Sequence, residues 1–324
     1  MPSSPLRRAA KLAPDRWKQL YDRAILSLPD RLYYPLERRA PVELVSSLDD
    51  LDKRLAEAED HFHASEDEGR RFLAGIELVP PPLPADPYSP EYKAAQWALY
   101  EHISGRGDYA VGNEESIFDL AEAQRRPFPY STGSPSVVGD QLIARGLIIR
   151  ALGLTPPARV IEFGAGWGNL TLDLATMGFD TTVVEVGANF CDLLRYRCAD
   201  RSNVQVRQDD MLTFEPDGTY DGVVFFESFH HCSDHLAMLE RLHTILKPDG
   251  VVVFAAEPIR QFPYAWGVRL DGLSLWSIRR FGWLELGFDT DYFAGALERT
   301  GWAPHRVRNR RVSPMADLII ARAA

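Results

Sequence analysis

The chain has few cysteines, no long apolar segment and no excess of basic residues, and each shortage excludes a class of protein. Its three cysteines are too few and too scattered for a disulfide framework or a zinc site. No apolar run approaches the ~20 residues that a membrane-spanning helix needs, and the basic N-terminal stretch lacks the apolar core of a secretory signal. A formal net charge of −10 disfavours nucleic-acid binding, which depends on basic surface. We therefore expect a cytoplasmic protein without a membrane span or a nucleic-acid partner.

The first third of the chain differs from the rest in its sequence pattern, with predicted helices and a proline-rich stretch. Apolar residues at helical spacing predict helices over 15–28 and 48–64, and a third over 92–103. Between them lies a proline-rich stretch, 79–92, which predicts a semi-rigid extended linker because proline fixes φ and removes a donor. We interpret the first two helices as a small domain for packing or homo-oligomerisation. An alternative is that they cover a site or hold a substrate.

These changes divide the chain into three predicted parts. The boundaries are 1–90 for the helical domain with its linker, 91–135 for a connecting segment, and 136–324 for a larger α/β domain.

The most informative stretch is ARVIEFGAGWGNLTL, residues 158–172. An apolar run leads into Gly164, Gly166 and Gly168, and a helix-like pattern follows at once. This order predicts a buried strand, a tight turn and a helix start, as in a nucleotide-binding βα unit. Glycine lets the backbone turn sharply and lets a ligand lie against the main chain. We therefore expect a ligand site at this turn.

Two acidic residues indicate which chemical groups the ligand carries. Glu162 precedes the glycines on the strand, and a carboxylate there suits a cationic ligand end such as an ammonium or sulfonium. Glu185 ends the next apolar run, 181–186, where a carboxylate can accept hydrogen bonds from both ribose hydroxyls. The spacing is G-x-G-x-G rather than G-x-G-x-x-G, which disfavours a dinucleotide-dependent reductase.

With E-F-G-A-G-W-G in place of E/D-x-G-x-G-x-G, the chain resembles the class I S-adenosylmethionine-dependent methyltransferases. Further landmarks follow in order: strand-like runs at 203–212, 219–231 and 251–259, and L-K-P-D-G where the family has L-K-P-G-G. The resemblance covers roughly residues 130 to 324. It implies an α/β Rossmann-like fold with a seven-stranded, mostly parallel sheet, a C-terminal antiparallel hairpin, and S-adenosyl-L-methionine as cofactor.

The resemblance also implies which residues bind the cofactor. Asp210 would hold the adenine amino group and Met211 would pack on the ring. Tyr130 and Thr132 would contact the methionine carboxylate from a segment that folds over the cofactor, with Arg126 as an alternative partner. A surface loop is the alternative reading of that segment. The complete expected set is Glu162, Gly164, Ala165, Gly166, Gly168, Glu185, Val186, Asp210, Met211, Glu227, Tyr130 and Thr132.

Catalytic candidates follow the fourth strand, because open α/β sheets bind ligands at the carboxyl ends of their strands. Methyl transfer to a hydroxyl benefits from a general base, and histidine suits that role near neutral pH. We expect His231 as the base, with His230 as the alternative and Glu227 as a group that orients a histidine or the acceptor. Glu257 is a weaker candidate. Either histidine could instead only order the loop.

A metal site can be drawn from acids and histidines in this region, but no paired-acid signature stands out. The sequence therefore predicts no metal. The set considered is Asp209, Asp234, His230, His231 and His235.

The long insertion 260–289 is rich in aromatic residues and arginines, and in this family such insertions build the acceptor pocket. Rings beside charges favour a carbohydrate acceptor, as in surface-polysaccharide O-methylation. Alternatives are a small-molecule O-, C- or N-methyltransferase of secondary or quinone-type metabolism, and a non-catalytic cofactor-binding subunit. The residues involved are Phe262, Tyr264, Trp266, Trp276, Phe281 and Trp283 with Arg269, Asp271 and Arg279.

Overall fold

A computed structural model describes residues 42–126, 135–308, 313 and 315–324. Its main sheet has seven strands in the order β11–β12–β7–β6–β3–β4–β5, where β5, β4, β3, β6 and β7 run parallel and β12 and β11 close the sheet antiparallel. The predicted Rossmann-like sheet and C-terminal hairpin are confirmed. The strands of this sheet are β3 (Arg159–Phe163), β4 (Asp180–Glu185), β5 (Val204–Gln208), β6 (Tyr220–Phe226), β7 (Leu246–Ala255), β11 (Trp302–Val307) and β12 (Leu318–Ala323).

The central strands are buried because helices cover both faces of the sheet, so they carry almost continuous apolar residues. β3 and β6 are clear cases, since four of the five residues of β3 and five of the seven residues of β6 are buried. The helices in the described residues, numbered along the chain, are α1 (Leu48–Ala64), α2 (Glu66–Ala74), α3 (Pro90–Ser104), α4 (Leu120–Arg125), α5 (Pro135–Leu152), α6 (Asn169–Met177), α7 (Ala188–Arg197), α8 (His235–Ile245), α9 (Gly272–Phe281) and α10 (Thr290–Arg299). Among these helices, none combines the length and apolarity needed to cross a membrane.

One predicted boundary is shifted. In the sequence, L-K-P-D-G signals a helix end and a turn before the strand-like run 251–259, whereas β7 begins directly after α8 at Leu246. Tyr220 pairs with Leu246 and Gly222 pairs with Val251, so the intervening residues bulge out of the ladder. The Lys247 ammonium lies 2.6 Å from the Asp221 carboxylate and holds this bulge against β6.

The insertion after β7 forms a second, three-stranded sheet of order β8–β10–β9 together with α9. A parallel pair of short strands, β1 and β2, precedes it in the chain and joins it through the backbone, since Leu78 N–H donates to Leu270 O at 2.9 Å. The bounds are β1 (Glu43–Val45), β2 (Ile76–Leu78), β8 (Ile259–Arg260), β9 (Trp266–Val268) and β10 (Leu286–Asp289).

The described part of the predicted N-terminal domain shares its core with this insertion. Leu51 and Leu55 of α1 are buried, and Phe62 stacks on Trp276 of α9 at 4.3 Å between ring centroids. The compact unit that begins at residue 41 runs to residue 324 without a division at residue 90, where the sequence predicts one. The reason is that the apolar stripe of α1 is buried against an insertion more than 200 residues away. The predicted helix 15–28 lies outside the described residues.

Candidate active site

A cavity of about 660 Å³ lies at the carboxyl ends of β3 to β7, beneath the insertion. It has two halves, which we name by their contents. The loop half is lined by Glu162, Gly164, Ala165, Gly166, Glu185, Val186, Asp210 and Met211. The histidine half is lined by Tyr109, Glu114, Glu227, His230, His231, Glu257, Arg269, Trp283 and Glu285. The cavity therefore brings together most of the predicted site residues that the structure describes.

The glycine turn needs glycine for two distinct reasons. Gly164 and Gly166 have φ values of +67° and +49°, a region that L side chains rarely adopt. A Cβ on Gly164 would also lie 2.6 Å from Cβ of Ser228, whereas one on Gly166 would meet nothing within 4 Å. Gly168, with φ +72°, precedes α6 and is packed against Leu194 rather than lining the cavity. The turn is thus fixed by strand packing on one side and left open to the cavity on the other.

Glu185 connects the glycine turn after β3 to the turn after β4. Its Oε2 accepts from Gly166 N–H and its Oε1 from Gly187 N–H, each at 3.0 Å. Burial raises the pKa of this carboxyl, although the two backbone donors act in the opposite direction. A carboxylate offers about four lone-pair sites. Two of them remain for the hydroxyl groups of a ligand.

Glu162 is a buried carboxyl beneath the turn, 2% exposed. Its Oε2 accepts from the Thr171 hydroxyl at 2.6 Å. Burial raises its pKa to about 8, so it is mostly neutral at pH 7 when no cation is near. A cationic ligand in this half would favour its ionised form.

The loop half continues with Asp210 and Met211, and both line the cavity. The Asp210 carboxylate accepts from Leu212 N–H at 3.1 Å, and its own N–H donates to Asp209 Oδ1 at 2.8 Å. These bonds fix the turn that presents both side chains. The adenine-binding role of Asp210 stays a prediction.

An aromatic cluster beside the glycine turn was not predicted. The ring of Phe118 lies 5.1 Å from that of Trp167 and 5.0 Å from that of Phe190, between centroids. Trp167 and Phe190 line the cavity, while Asn189 donates to Phe118 O at 3.1 Å and holds the segment in place. Trp167 lies inside the glycine motif, but Phe118 is too distant in sequence to have been connected with it.

Two non-glycine residues with positive φ mark the ends of the central strands. Glu227 follows β6 with φ +53°, and Ala256 follows β7 with φ +55°. Such conformations cost about 1–3 kcal/mol and concentrate at functional sites. Glu227 reaches solvent through the cavity, and its Oε2 accepts from Gln141 at 3.2 Å. The protein atoms around it and the charge of Glu257 raise its pKa to about 7.

His230 is held by Glu257, whose side chain is buried. His230 Nδ1 lies 2.7 Å from Glu257 Oε2, while Glu257 Oε1 accepts from the backbone N–H groups of Ser228 and Phe229 at 2.8 and 2.9 Å. Burial would raise the pKa of Glu257, but the His230 charge and these donors lower it below its usual value. An ionised Glu257 accepts a hydrogen bond from Nδ1–H, so a neutral His230 carries its lone pair on Nε2. Glu257, the weaker sequence candidate, is therefore the residue that orients the histidine.

His231 is paired differently. Its Nδ1 lies 3.0 Å from Glu114 Oε2, and the other oxygen of Glu114 accepts from Leu284 N–H at 2.7 Å. Burial lowers the pKa of His231, but the charge and proximity of Glu114, together with the charges of Glu285 and Glu257, outweigh it and raise the pKa to about 9. An imidazolium is a poor proton acceptor, so this geometry disfavours the predicted base role of His231. Glu114 was not predicted, because nothing in its local sequence marks it.

Glu285 completes the histidine half. Its Oε2 lies 3.8 Å from His230 Nε2 and 3.3 Å from Arg269 Nη1. Ligand atoms of His230, His231 and Glu285 all lie within 4.8 Å of one another.

The metal set considered from the sequence is not assembled. His235 is buried with Nε2 2.6 Å from the Tyr292 hydroxyl, and Asp234 pairs with Lys93 at 2.7 Å. Neither residue lines the cavity, because α8 begins there and turns them towards β10 and α3.

Comparisons with known proteins bear on the whole site. A family model described as a methyltransferase domain matches residues 140–307, which is just over half of the chain. The chain belongs to the S-adenosylmethionine-dependent methyltransferases. The predicted family is thereby confirmed.

Relatives of known name are distant. A ubiquinone biosynthesis O-methyltransferase of Xanthomonas campestris pv. campestris is 26% identical over 120 residues, which cover 36% of this chain and 49% of that protein. A ribosomal RNA small subunit methyltransferase A of Thermotoga petrophila is 37% identical over 75 residues, 23% of this chain and 28% of that protein. The chain spans about half or less of the length of these relatives.

One solved structure that is similar to the chain is also distant in sequence. A Burkholderia thailandensis 1,6-didemethyltoxoflavin-N1-methyltransferase is 20% identical, with a TM-score of 0.44, over 76% of this chain and 93% of that one.

Three further cofactor candidates are either outside the described residues or away from the cavity. Tyr130 and Thr132 lie outside the described residues. Arg126 pairs with Glu122 at 2.5 Å on α4 and does not line the cavity.

The methyltransferase's insertion uses its aromatic residues mainly for packing. Among the six predicted rings, Trp283 alone lines the cavity. Trp266 is buried and donates to Pro87 O at 2.8 Å, and Arg279 pairs with Asp52 of α1. Asp271 caps α9 and binds Arg269 at 3.0 Å. The structure therefore removes most of the ring platform that favoured a carbohydrate.

Proposed function

We propose that this methyltransferase transfers the methyl group of S-adenosylmethionine to a hydroxyl oxygen of a small acceptor. The observation that carries the proposal is that one cavity joins the glycine turn to a half containing two histidines and four carboxyl groups. Cofactor and acceptor can therefore meet without a second site. Methyl transfer is an in-line displacement, for which placing the two reactants together supplies much of the acceleration.

In this proposal the loop half holds the cofactor. Glu185 accepts from the ribose hydroxyls with the lone pairs that its two backbone donors leave free. Asp210 receives the adenine amino group and Met211 packs against the ring. Glu162, beneath the turn, faces the cationic end of the cofactor and ionises when that charge arrives.

We assign removal of the acceptor proton to Glu227. It follows β6, lines the cavity and is accessible through it. The acceptor hydroxyl gives its proton to the Glu227 carboxylate, its oxygen forms a bond to the methyl carbon, and the sulfonium sulfur keeps the pair of the broken C–S bond. The products are a methyl ether and S-adenosylhomocysteine. His230 Nε2, oriented by Glu257, presents its lone pair to the acceptor end.

The acceptor that this site fits best is a small hydroxyl-bearing molecule of the phenol or quinol type. The matched relative is named for an O-methylation in ubiquinone biosynthesis, and the half that would receive a sugar is lined by two aromatic rings, Tyr109 and Trp283, rather than by the six rings of the insertion. A carbohydrate hydroxyl is the second candidate, supported by the polar groups Glu114, Arg269 and Glu285.

The test is formation of S-adenosylhomocysteine with a panel of phenols, catechols and sugars. We expect acceptor-dependent turnover by the wild type, and a kcat about 10²–10⁴ lower in Glu227→Gln with little change in cofactor affinity. Trp276→Phe, which changes a ring outside the cavity, is the matched control and should retain turnover. No turnover with any acceptor, by protein that binds S-adenosylmethionine, would favour the non-catalytic subunit.

A further inference from the structure

We propose that His230, His231 and Glu285 form a binding site for one divalent transition-metal ion in the histidine half of the cavity. The proposal rests on the function above, since the ion would lie at the acceptor end of the same site. One ligand atom from each residue lies within 4.8 Å of the other two. Ions of this class bind nitrogen and oxygen ligands at about 2.0–2.2 Å, so the three atoms would need to close by roughly an ångström around it.

The ligand types select the kind of ion. Two imidazoles and one carboxylate suit Zn²⁺, Mn²⁺, Fe²⁺ or Co²⁺, and they leave coordination positions open for other oxygens. Mg²⁺ and Ca²⁺ prefer sites made of oxygen alone.

The orientation of His230 is the second observation that points to a ligand. A metal-binding histidine usually donates its other ring N–H to a carboxylate, which fixes the tautomer. His230 has this arrangement, with Nδ1 2.7 Å from the buried Glu257 carboxylate and Nε2 3.8 Å from Glu285, beyond hydrogen-bond distance. His230 is 7% exposed, so its Nε2 is directed at the cluster rather than at bulk water.

His231 supplies a third observation. Its Nδ1 is buried and makes no hydrogen bond of acceptable geometry, although Glu114 Oε2 lies 3.0 Å away. A buried polar atom without a hydrogen bond costs about 1–3 kcal/mol. A small rotation of the ring and the release of one proton would let one nitrogen bind the ion while Glu114 stays beside the other.

The surrounding charges favour a cation. Glu114, Glu257 and Glu285 lie against the two histidines. Arg269, 3.3 Å from Glu285 Oε2, is a cation that opposes them, and Arg260 also lines the cavity. Arg269 also binds Asp271 at 3.0 Å, so its charge is shared with a second carboxylate.

An ion here would extend the proposed reaction. An acceptor with one or two hydroxyl groups would coordinate the open positions, and the ion would lower the hydroxyl pKa. The proton would still pass to Glu227 and the methyl group to the oxygen.

The experiment uses the full-length protein, freed of metal with a chelator and titrated with Co²⁺, whose visible absorption reports bound nitrogen ligands. We expect one equivalent to bind with new absorption bands, and Zn²⁺ to displace it. Glu285→Gln should weaken Co²⁺ binding at least about tenfold, and Glu257→Gln about 10–100-fold through loss of the histidine's partner. His63→Gln changes an exposed histidine on α1 and should have no effect.

Failure of this proposal is distinguishable from failure of the proposed function. Binding of S-adenosylhomocysteine to the metal-free protein is measured on the same samples. If the protein binds S-adenosylhomocysteine but gives no Co²⁺ bands, or gives bands that Glu285→Gln and His231→Gln both leave unchanged, the metal site is refuted and the methyltransferase assignment stands.

Discussion

The two halves of the cavity are built in different ways. The loop half comes from about 50 consecutive residues, Glu162 to Met211, in which each cavity-lining group lies on a strand of the same sheet or just after one. The histidine half combines Glu114, the turn after β6, Glu257 and Glu285, which lie on four separated segments. The loop half is held by backbone hydrogen bonds to Glu185, while the histidine half is held by paired charges. A common cofactor can thus be bound by a compact local unit, and an individual acceptor by long-range pairing.

The largest expected loss of stability comes from a substitution in the histidine half. Glu257→Ala removes the acceptor of four donors, three of them backbone N–H groups, and leaves His230 without its partner. We expect the free energy of unfolding to fall by about 3–5 kcal/mol, as for a broken buried ion pair. Denaturant unfolding measures it. Glu257→Gln, which keeps an acceptor oxygen, should lose less; a loss below about 1 kcal/mol in Glu257→Ala would show that the pair does not hold this half together.

A smaller effect compares two glycines within the loop half. Gly164→Ala places a Cβ 2.6 Å from Ser228 at φ +67°, whereas Gly166→Ala adds strain at φ +49° with open space around it. We expect Gly164→Ala to be less stable than Gly166→Ala by about 1–3 kcal/mol, the usual cost of overpacking. Denaturant unfolding of both ligand-free variants decides it. Equal stability would mean that β3 and the turn after β6 are not packed as closely as described.

A proton linkage should accompany cofactor binding. Burial raises the pKa of Glu162 from 4.5 to about 8, so between these values the native state holds a proton that the unfolded state has released. Its contribution to stability is full below pH 4.5 and is lost as pH rises through 8. Binding of the cationic cofactor at pH 7 should release up to about one proton, measured by calorimetry in buffers of different ionisation enthalpy. Glu162→Gln should abolish that release; unchanged release would assign the proton to another group.

The smallest effect concerns the insertion. Arg279 pairs with Asp52 on α1, and both side chains are more than a third exposed. Asp52→Asn should change the free energy of unfolding by no more than about 1 kcal/mol and leave cofactor affinity unchanged. A large loss of acceptor turnover in this variant would return Arg279 to the acceptor site, where the sequence analysis placed it.

Sequence reasoning succeeded where function depends on local order. The strands that lead to Gly164 and Glu185 carry continuous apolar runs. Because these strands are parallel, their carboxyl ends meet at one edge of the sheet, independently of the structure of the rest of the chain. The same logic placed Asp210, Glu227 and His230 on the cavity wall.

It failed where partners are distant. Glu285 follows His230 by 55 residues and Glu114 precedes His231 by more than 100, and no spacing rule connects them. The aromatic residues of the insertion look the same in sequence whether they line a pocket or bury α1, and only the packing of Phe62 on Trp276 distinguishes the two.

The most direct test of the account is calorimetric titration of S-adenosylhomocysteine into the wild type, Glu185→Ala and Glu285→Gln. If the cofactor occupies the loop half, Glu185→Ala weakens binding by about 1–3 kcal/mol, the cost of unpaired buried polar groups, and Glu285→Gln binds as the wild type does. If folded Glu185→Ala keeps full affinity, or if Glu285→Gln loses as much, the division of the cavity into a cofactor half and an acceptor half is contradicted.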